Sequence, residues 1–430
     1  MASSRSLTSN ALWLGADRVL RLGLSFVVQV LVVRHLGPAG NGMLQGGLAL
    51  AALAAALVEL GLDGMLRREL VRTPEHAGAL LGTATTLRLL AFFPAALAYC
   101  WAALHQPETT PALMAWLAVT IALPLALTPE PWLLANGRVP ANVIAQGAGF
   151  LAGAGARLAF VLAGAGVMAF GAAAALETMV IAAALGLAFF STAGAARRWS
   201  WDPGCARRLL GGGTPLLLTT VAILVYRRMD VVLLGNLLDQ RAAGLYAAAV
   251  RLSEIGYLAP MILLNAWFPR LTDLHATDPA AYRVALADFF RRVTWSAAAF
   301  ALALTIGAPW IVRLLFGPAF AGAATPLAIH AWTAVFIAHG VARSQWLLLE
   351  NQLFAGLGLA CIGAATNLAL NFVLVPWLGV AGAALAAVLG LAFNMGIVPA
   401  LLPETRAGWA LGWKATFSRA AGARDGSHGN

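Results

Sequence analysis

Charge is what this chain has least of. Only 11% of its 430 residues are Asp, Glu, Lys or Arg, against roughly 25% in a soluble domain. With so little polar material the chain cannot cover a soluble core. Lysine is nearly absent: Lys414 is the only one. Cysteine is almost as rare, and Cys100, Cys205 and Cys361 lie far apart. That excludes a disulfide framework, a zinc ribbon and a CxxC redox pair. The seven histidines are scattered, so no metal or Cys/His catalytic pattern emerges and no cofactor is expected. No G-x-x-x-x-G-K-[S/T] segment is present, so no ATPase is built in. A cleavable leader is not expected either, because the first apolar run is long and carries Asp17, Arg18 and Arg21.

What the chain has is apolar length. It is 60% hydrophobic with a mean hydropathy of +0.79. Runs of about twenty apolar residues recur throughout, the length that crosses a bilayer as a helix. Period-2 strands of the barrel kind are absent, which leaves helices as the spanning element. Twelve spans are expected, roughly over 12–33, 43–62, 80–104, 112–134, 143–162 and 167–192, then 214–234, 244–268, 295–316, 322–349, 353–375 and 380–402. The class is therefore all-α integral membrane.

The arginine-rich stretch 197–208 holds Arg197, Arg198, Arg207 and Arg208 and separates two flanks that resemble each other. Leu36-Gly37 and Gly42 after the first span echo Leu234-Gly235 and Gly244 after the seventh. Trp132-Leu133-Leu134 with Asn136 echoes Trp346-Leu347-Leu348 with Asn351. The echoes keep their order, and the extra length of the second half fits a longer loop over 270–292. The expected organisation is an N-terminal six-helix lobe (1–196), a cytoplasmic linker (197–212), a C-terminal six-helix lobe (213–402) and a basic cytoplasmic tail (403–430), disordered on composition. Parallel repeats of this kind place the substrate site at their shared interface.

The basic residues also orient the chain. Of the 28 Lys and Arg, seven fall well inside spans; counting Arg313 and Arg343 with the loops beside their span ends, only Arg34, Arg241 and Arg313 fall on the opposite side and Arg343 joins the cytoplasmic set. The remaining 18 then face the cytoplasm, with both termini on that side. The net charge of +10 is thus an orientation signal and not a nucleic-acid surface.

The seven intramembrane arginines are Arg18, Arg21, Arg88, Arg157, Arg227, Arg228 and Arg251. A cation at mid-bilayer costs at least about 2.5–3.5 kcal/mol, so each must face a partner, water or a ligand. Arg18, Arg21, Ser25 and Gln29 fall on one stripe of the first helix at 100° per residue. Snorkelling of the two arginines would leave only 22–33 to span, short of about 20 residues. A cavity-facing stripe is the better reading. Arg227 with Asp230, and Arg251 with Glu254, are i,i+3 pairs for which structural and ligand roles are equally open. Arg228 points away from the first pair. Arg88 and Arg157 have no acid at i±3 or i±4, and Glu177 on the sixth span is the best internal candidate. Asp17, Glu177, Asp230 and Glu254 are the acids available for pairing or ion coupling. The sum is a cationic cavity between two lobes, suited to phosphate oxygens.

Four segments then resemble one family. They are Arg34-His35-Leu36-Gly37-Pro38 with Gly42; Asp230-Val231-Val232-Leu233-Leu234-Gly235 followed by Gly244-Leu245-Tyr246; Leu315-Phe316-Gly317-Pro318; and Asn367 with Asn371, Pro376, Gly379 and Gly382-Ala383-Ala384. In this order they resemble the Wzx-like polysaccharide flippases of the MOP superfamily. The resemblance implies a V-shaped alternating-access transporter of the MOP/MATE type in the bacterial inner membrane. It implies movement of undecaprenyl-diphosphate-linked oligosaccharide to the periplasmic leaflet, for O-antigen, exopolysaccharide or capsule. Partners would be the lipid-linked oligosaccharide and membrane lipid, with a polysaccharide polymerase and glycosyltransferases upstream or downstream. Arg18-Val19-Leu20 also looks like the first helix of lipid II flippases, which usually carry fourteen helices. A drug-exporting relative is a further alternative, though such cavities tend to be acidic. A membrane-bound polymerase or glycosyltransferase is the reading from another class. The loop 105–111, among the longest outside segments, holds only Glu108 as an acid, so no acid/base pair is visible there.

Overall fold

The computed structural model describes residues 4–350 and 353–417. The side chains of 4–20 and of 22, 195, 259, 265, 348, 353, 354, 404 and 407 lie outside that description. Every regular element among the described residues is helical. Ten helical segments are long and apolar enough to cross a membrane, and one bent pair, Pro318–His330 with Thr333–Leu347, makes an eleventh. The first segment accounts for two spans. Helix Ser4–Glu59 has 56 residues, or ~84 Å at 1.5 Å per residue, against a hydrocarbon core of ~30 Å. Its trace breaks at Gly37, whose φ of 68° is open to glycine and strained for other residues, with Pro38 next. Spans 1 and 2 lie on either side of that break, which brings the count to the expected twelve.

The chain divides into two compact units. The first is Met1–Leu245 with Leu315–Ala319. It holds spans 1–6 and span 7, helix Pro203–Leu237. At one end of this unit, helix Leu62–Arg72 buries Leu62, Leu66 and Leu70 at four-residue spacing. They pack with Leu81, Trp132, Phe189 and Leu209. Arg67, Arg68 and Arg72 on its other faces are more than half exposed. The same end fixes the arginine-rich stretch. The Asp202 amide donates to Thr83 Oγ1 at 3.0 Å, and Trp199 packs on Phe189 and Phe190. Span 7 already begins at Pro203, capped by the Asp202 carboxylate, so the expected linker is extended over only part of its length.

At the opposite end of the unit the two echoed glycines meet. A Cβ on Gly42 would lie 1.9 Å from the Gln240 carbonyl oxygen, and one on Gly244 would lie 1.7 Å from that of Pro38. The two backbones are in direct contact, and Asn41 Nδ2 donates to the Gly244 carbonyl at 2.9 Å.

The second unit is Tyr246–Leu314 with Phe320–Asn430. Its core joins Leu271, Leu286, Phe289, Phe290 and Val293 to Ala334, Ala338, Ala342 and Trp346. Alanine at every fourth position of span 10 lets its neighbours approach closely. The expected 270–292 loop is instead helical: Leu258–Thr277 runs on, and Pro279–Phe316 has 38 residues, ~57 Å, longer than any bilayer requires. Asp288 pairs with Arg291 and, at 2.7 Å, with Arg292. Arg270 and Arg292 lie over Trp267 at 5.8 and 5.6 Å. The expected disordered tail is also corrected over its first part. Pro403–Phe417 is a helix that buries Thr405, Ala415 and Thr416. Apolar residues such as Trp409 and Trp413, spaced among the polar ones, give it a face to dock. Positions 418–430 lie outside the described residues.

Candidate functional site

Polar groups inside a spanning helix must turn from lipid, and burial tells where each turned. On span 1, Arg21, Ser25 and Gln29 are half-buried, while Leu24, Val27 and Leu31 are exposed. The polar stripe therefore lies beside the buried face of span 1, which carries Val28 and Val32, and Leu24, Val27 and Leu31 face outward. Arg21 Nη2 donates to the Val143 carbonyl on span 5 at 3.1 Å. Asn142 and Gln146, hydrogen-bonded to each other at 3.3 Å, flank that contact on the same helix. The side chains of Asp17 and Arg18 lie outside the description.

Arg88 on span 3 is fully buried. Its Nη2 meets Asp63 Oδ1 at 2.5 Å, and its Nη1 donates to Thr128 Oγ1 and the Pro124 carbonyl, both at 2.8 Å. Asp63 stands in the first turn of the amphipathic helix Leu62–Arg72. Sequence reasoning did not name it, because it lies past the end of a predicted span. Its signal was an acid immediately after the predicted end of span 2, ahead of Arg67 and Arg68.

Arg157 on span 5 pairs with Glu177 on span 6 at 2.8 Å. The approach is made by glycine. A Cβ on Gly149 would lie 2.3 Å from Ile181 Cγ1, and one on Gly153 would lie 2.6 Å from Glu177 Oε2. Gly149, Gly153 and Arg157 repeat every four residues, so one face of span 5 presents two gaps and then a cation to span 6.

On span 7 Asp230 is buried and Arg228 half-buried. In the second unit, Arg251 and Glu254 are half-buried where helix Gln240–Ser253 tightens into the 3-10 turn Glu254–Tyr257. All four are engaged by neighbouring groups. Close by, His330 Nδ1 and Ser253 Oγ are 2.7 Å apart, and Tyr257 and Thr333 are joined at 2.9 Å. That network crosses the bend of the eleventh segment. Ser253 Oγ also lies 2.9 Å from the Val250 carbonyl oxygen, to which it donates. No group of three or more His, Cys, Asp or Glu is placed to hold a metal ion among the described residues.

Arg88 and Arg157 are each met by a carboxylate from another helix of the first unit. Arg21 reaches the Val143 carbonyl, has a further partner, and lies on a half-buried polar stripe.

The fold is similar to several solved transporters. An inward-facing multidrug resistance MATE family transporter of the MOP superfamily superposes with a TM-score of 0.67 at 14% identity, covering 91% of this chain and 95% of that one. The lipid II flippase MurJ in its inward closed conformation gives 0.64 at 12% identity, with 93% and 90% covered. A MOP superfamily transporter from Pyrococcus furiosus, described as having a binding pocket of reverse polarity, gives 0.58 at 13% identity, with 94% and 96% covered. No curated sequence matches the chain. The model of the polysaccharide biosynthesis protein family matches residues 7–275, more than half of the chain. The chain therefore belongs to the polysaccharide biosynthesis protein family and is a multi-pass membrane protein with the fold of MOP superfamily transporters.

Proposed function

We propose that this protein is a flippase for undecaprenyl-diphosphate-linked oligosaccharide, serving surface-polysaccharide synthesis. It works in the bacterial inner membrane with both termini cytoplasmic, by alternating access through an arginine-lined interior. Polymerase and glycosyltransferases are its functional partners. The observation that carries the reading is the half-buried stripe Arg21, Ser25 and Gln29, turned from lipid, in a chain of this family. The planar fork of a guanidinium suits diphosphate oxygens. Arg18 continues the stripe, and Arg228 and Arg251 assist. Arg88 and Arg157, each already facing a carboxylate, hold helices in place.

Losing one charge-assisted hydrogen bond costs about 1.5–3 kcal/mol, or roughly ten- to a hundredfold in affinity. Arg18→Ala and Arg21→Ala should each cut polymer export strongly at matched membrane levels, and the Lys replacements should rescue only in part. In proteoliposomes the lipid-linked oligosaccharide should change leaflet without chemical change. Near-normal export by both Ala variants would remove the stripe from the site. A covalently altered product would make the protein an enzyme instead.

A further inference from the structure

Among the described residues one buried cation has no counter-ion. Arg343 on helix Thr333–Leu349 is 8% exposed. Of the five N–H groups on its guanidinium, one bond is made, from Nη1 to the Asn394 carbonyl at 3.1 Å. Its Nε has no partner. Among the described residues no carboxylate lies within ion-pair distance of it, whereas Arg88 and Arg157 each have one. A largely desolvated charge held by one neutral carbonyl is an arrangement a membrane protein tolerates poorly.

Two further polar groups stand unpartnered in the same place. His339, one turn earlier on the same helix, is 1% exposed and its Nδ1 has no partner. Asn394, whose carbonyl takes Arg343, is 7% exposed and its Oδ1 has no partner. Asn394 belongs to the π-helical turn Phe393–Ile397 of span 12, a distortion that recurs at functional sites. The C-terminal helix closes the place. Trp413 stacks on His339 with centroids 4.5 Å apart, and its Nε1 donates to the Met395 carbonyl at 3.2 Å.

We propose that Arg343, His339 and Asn394 form a buried site for a small monovalent anion of halide size. Arg343 Nε–H and His339 Nδ1–H are its donors. With the Asn394 amide turned so that its nitrogen takes the Oδ1 position, an assignment coordinates leave open, a third N–H joins them. A lipid headgroup or a phosphate is too large for the place. A Cβ on Gly340 would lie 3.0 Å from Met395 Cε, one on Gly363 would lie 2.4 Å from Asn394 Nδ2, and one on Gly412 would lie 2.9 Å from His339 Cε1. The helices touch around the site at glycine, so only an atom-sized ion is compatible with packing this close. The bound anion neutralises Arg343 and ties span 10 to the π turn of span 12 and to the C-terminal helix.

The test uses the full-length purified protein, exchanged between sodium gluconate and sodium chloride or bromide at equal ionic strength. Unfolding is followed by tryptophan fluorescence. Chloride and bromide should raise the Tm by several degrees in a saturable manner. Crystals grown with bromide should show its anomalous signal beside Arg343. Arg343→Gln should lose the dependence. Because that variant leaves polar neighbours unpartnered and can fail to fold, Asn394→Asp is the second arm. It supplies a carboxylate within the chain and should be stable and insensitive to halide. Equal Tm of the native protein in gluconate and halide overturns the proposal. So does a halide effect that persists in Asn394→Asp, or stabilisation by phosphate and not by halide.

Discussion

The contact between Gly42 and Gly244 sets a sharp limit on what either position accepts. Real Cβ atoms essentially never come within 3.0 Å of such neighbours, yet alanine would place one 1.9 Å from the Gln240 oxygen or 1.7 Å from the Pro38 oxygen. One backbone must retreat by about 1.1–1.3 Å, the shortfall from 3.0 Å. Neither obstacle is a flexible side chain. The retreat also pulls the Gly244 carbonyl from buried Asn41 Nδ2, now at 2.9 Å. Overpacking costs about 1–3 kcal/mol, and stranding a buried polar partner costs about 1–3 kcal/mol more. Each alanine should therefore destabilise the protein by about 2–6 kcal/mol. Gly46, one turn along the same helix, has nothing within 4 Å of its Cβ position. Gly46→Ala should be neutral or stabilising by about 0.5–1 kcal/mol, since alanine loses less entropy on entering a helix. Thermal unfolding of the purified variants and their steady-state membrane levels provide the assay. The double variant should be less destabilised than the sum, because one retreat relieves both clashes. Tm values for Gly42→Ala and Gly244→Ala that match Gly46→Ala would refute the close approach.

Asp63→Ala should destabilise by about 3–5 kcal/mol, since it leaves buried Arg88 without its counter-charge; Asp63→Ala combined with Arg88→Met should recover most of that loss, and no recovery would count against the pair as described. A reporter fused at Gly204 should be active on the cytoplasmic side, as the arginine distribution requires, and periplasmic activity there would invert the proposed topology.

Class and span count were legible in the sequence because transfer into lipid is a local, additive property of each apolar run. Gly37, Pro38 and Gly42 were legible as a repeated and family-like segment, and the break the chain makes at Gly37 rests on backbone freedom that belongs to the residue itself. Even the Arg157–Glu177 pair was within reach, because neighbouring spans joined by a short turn must run side by side. Arg88 with Asp63 was not. Its partner sits beyond a span end, on an amphipathic helix whose rotation decides whether Asp63 points inward. The 270–292 stretch and the first part of the tail read as polar loop. They are helices because long-range burial of Leu271, Phe289, Phe290 and Ala415 stabilises them. Arg343 counted as one more cytoplasmic cation by its place near a span end. Only the packing of span 10 against the π turn and the C-terminal helix shows it enclosed. Hydropathy thus determined which segments enter the membrane. Which face each helix turns to its neighbours, and so which charges meet, depends on rotational phase and close approach between segments far apart in the chain, and the tertiary structure alone decided that.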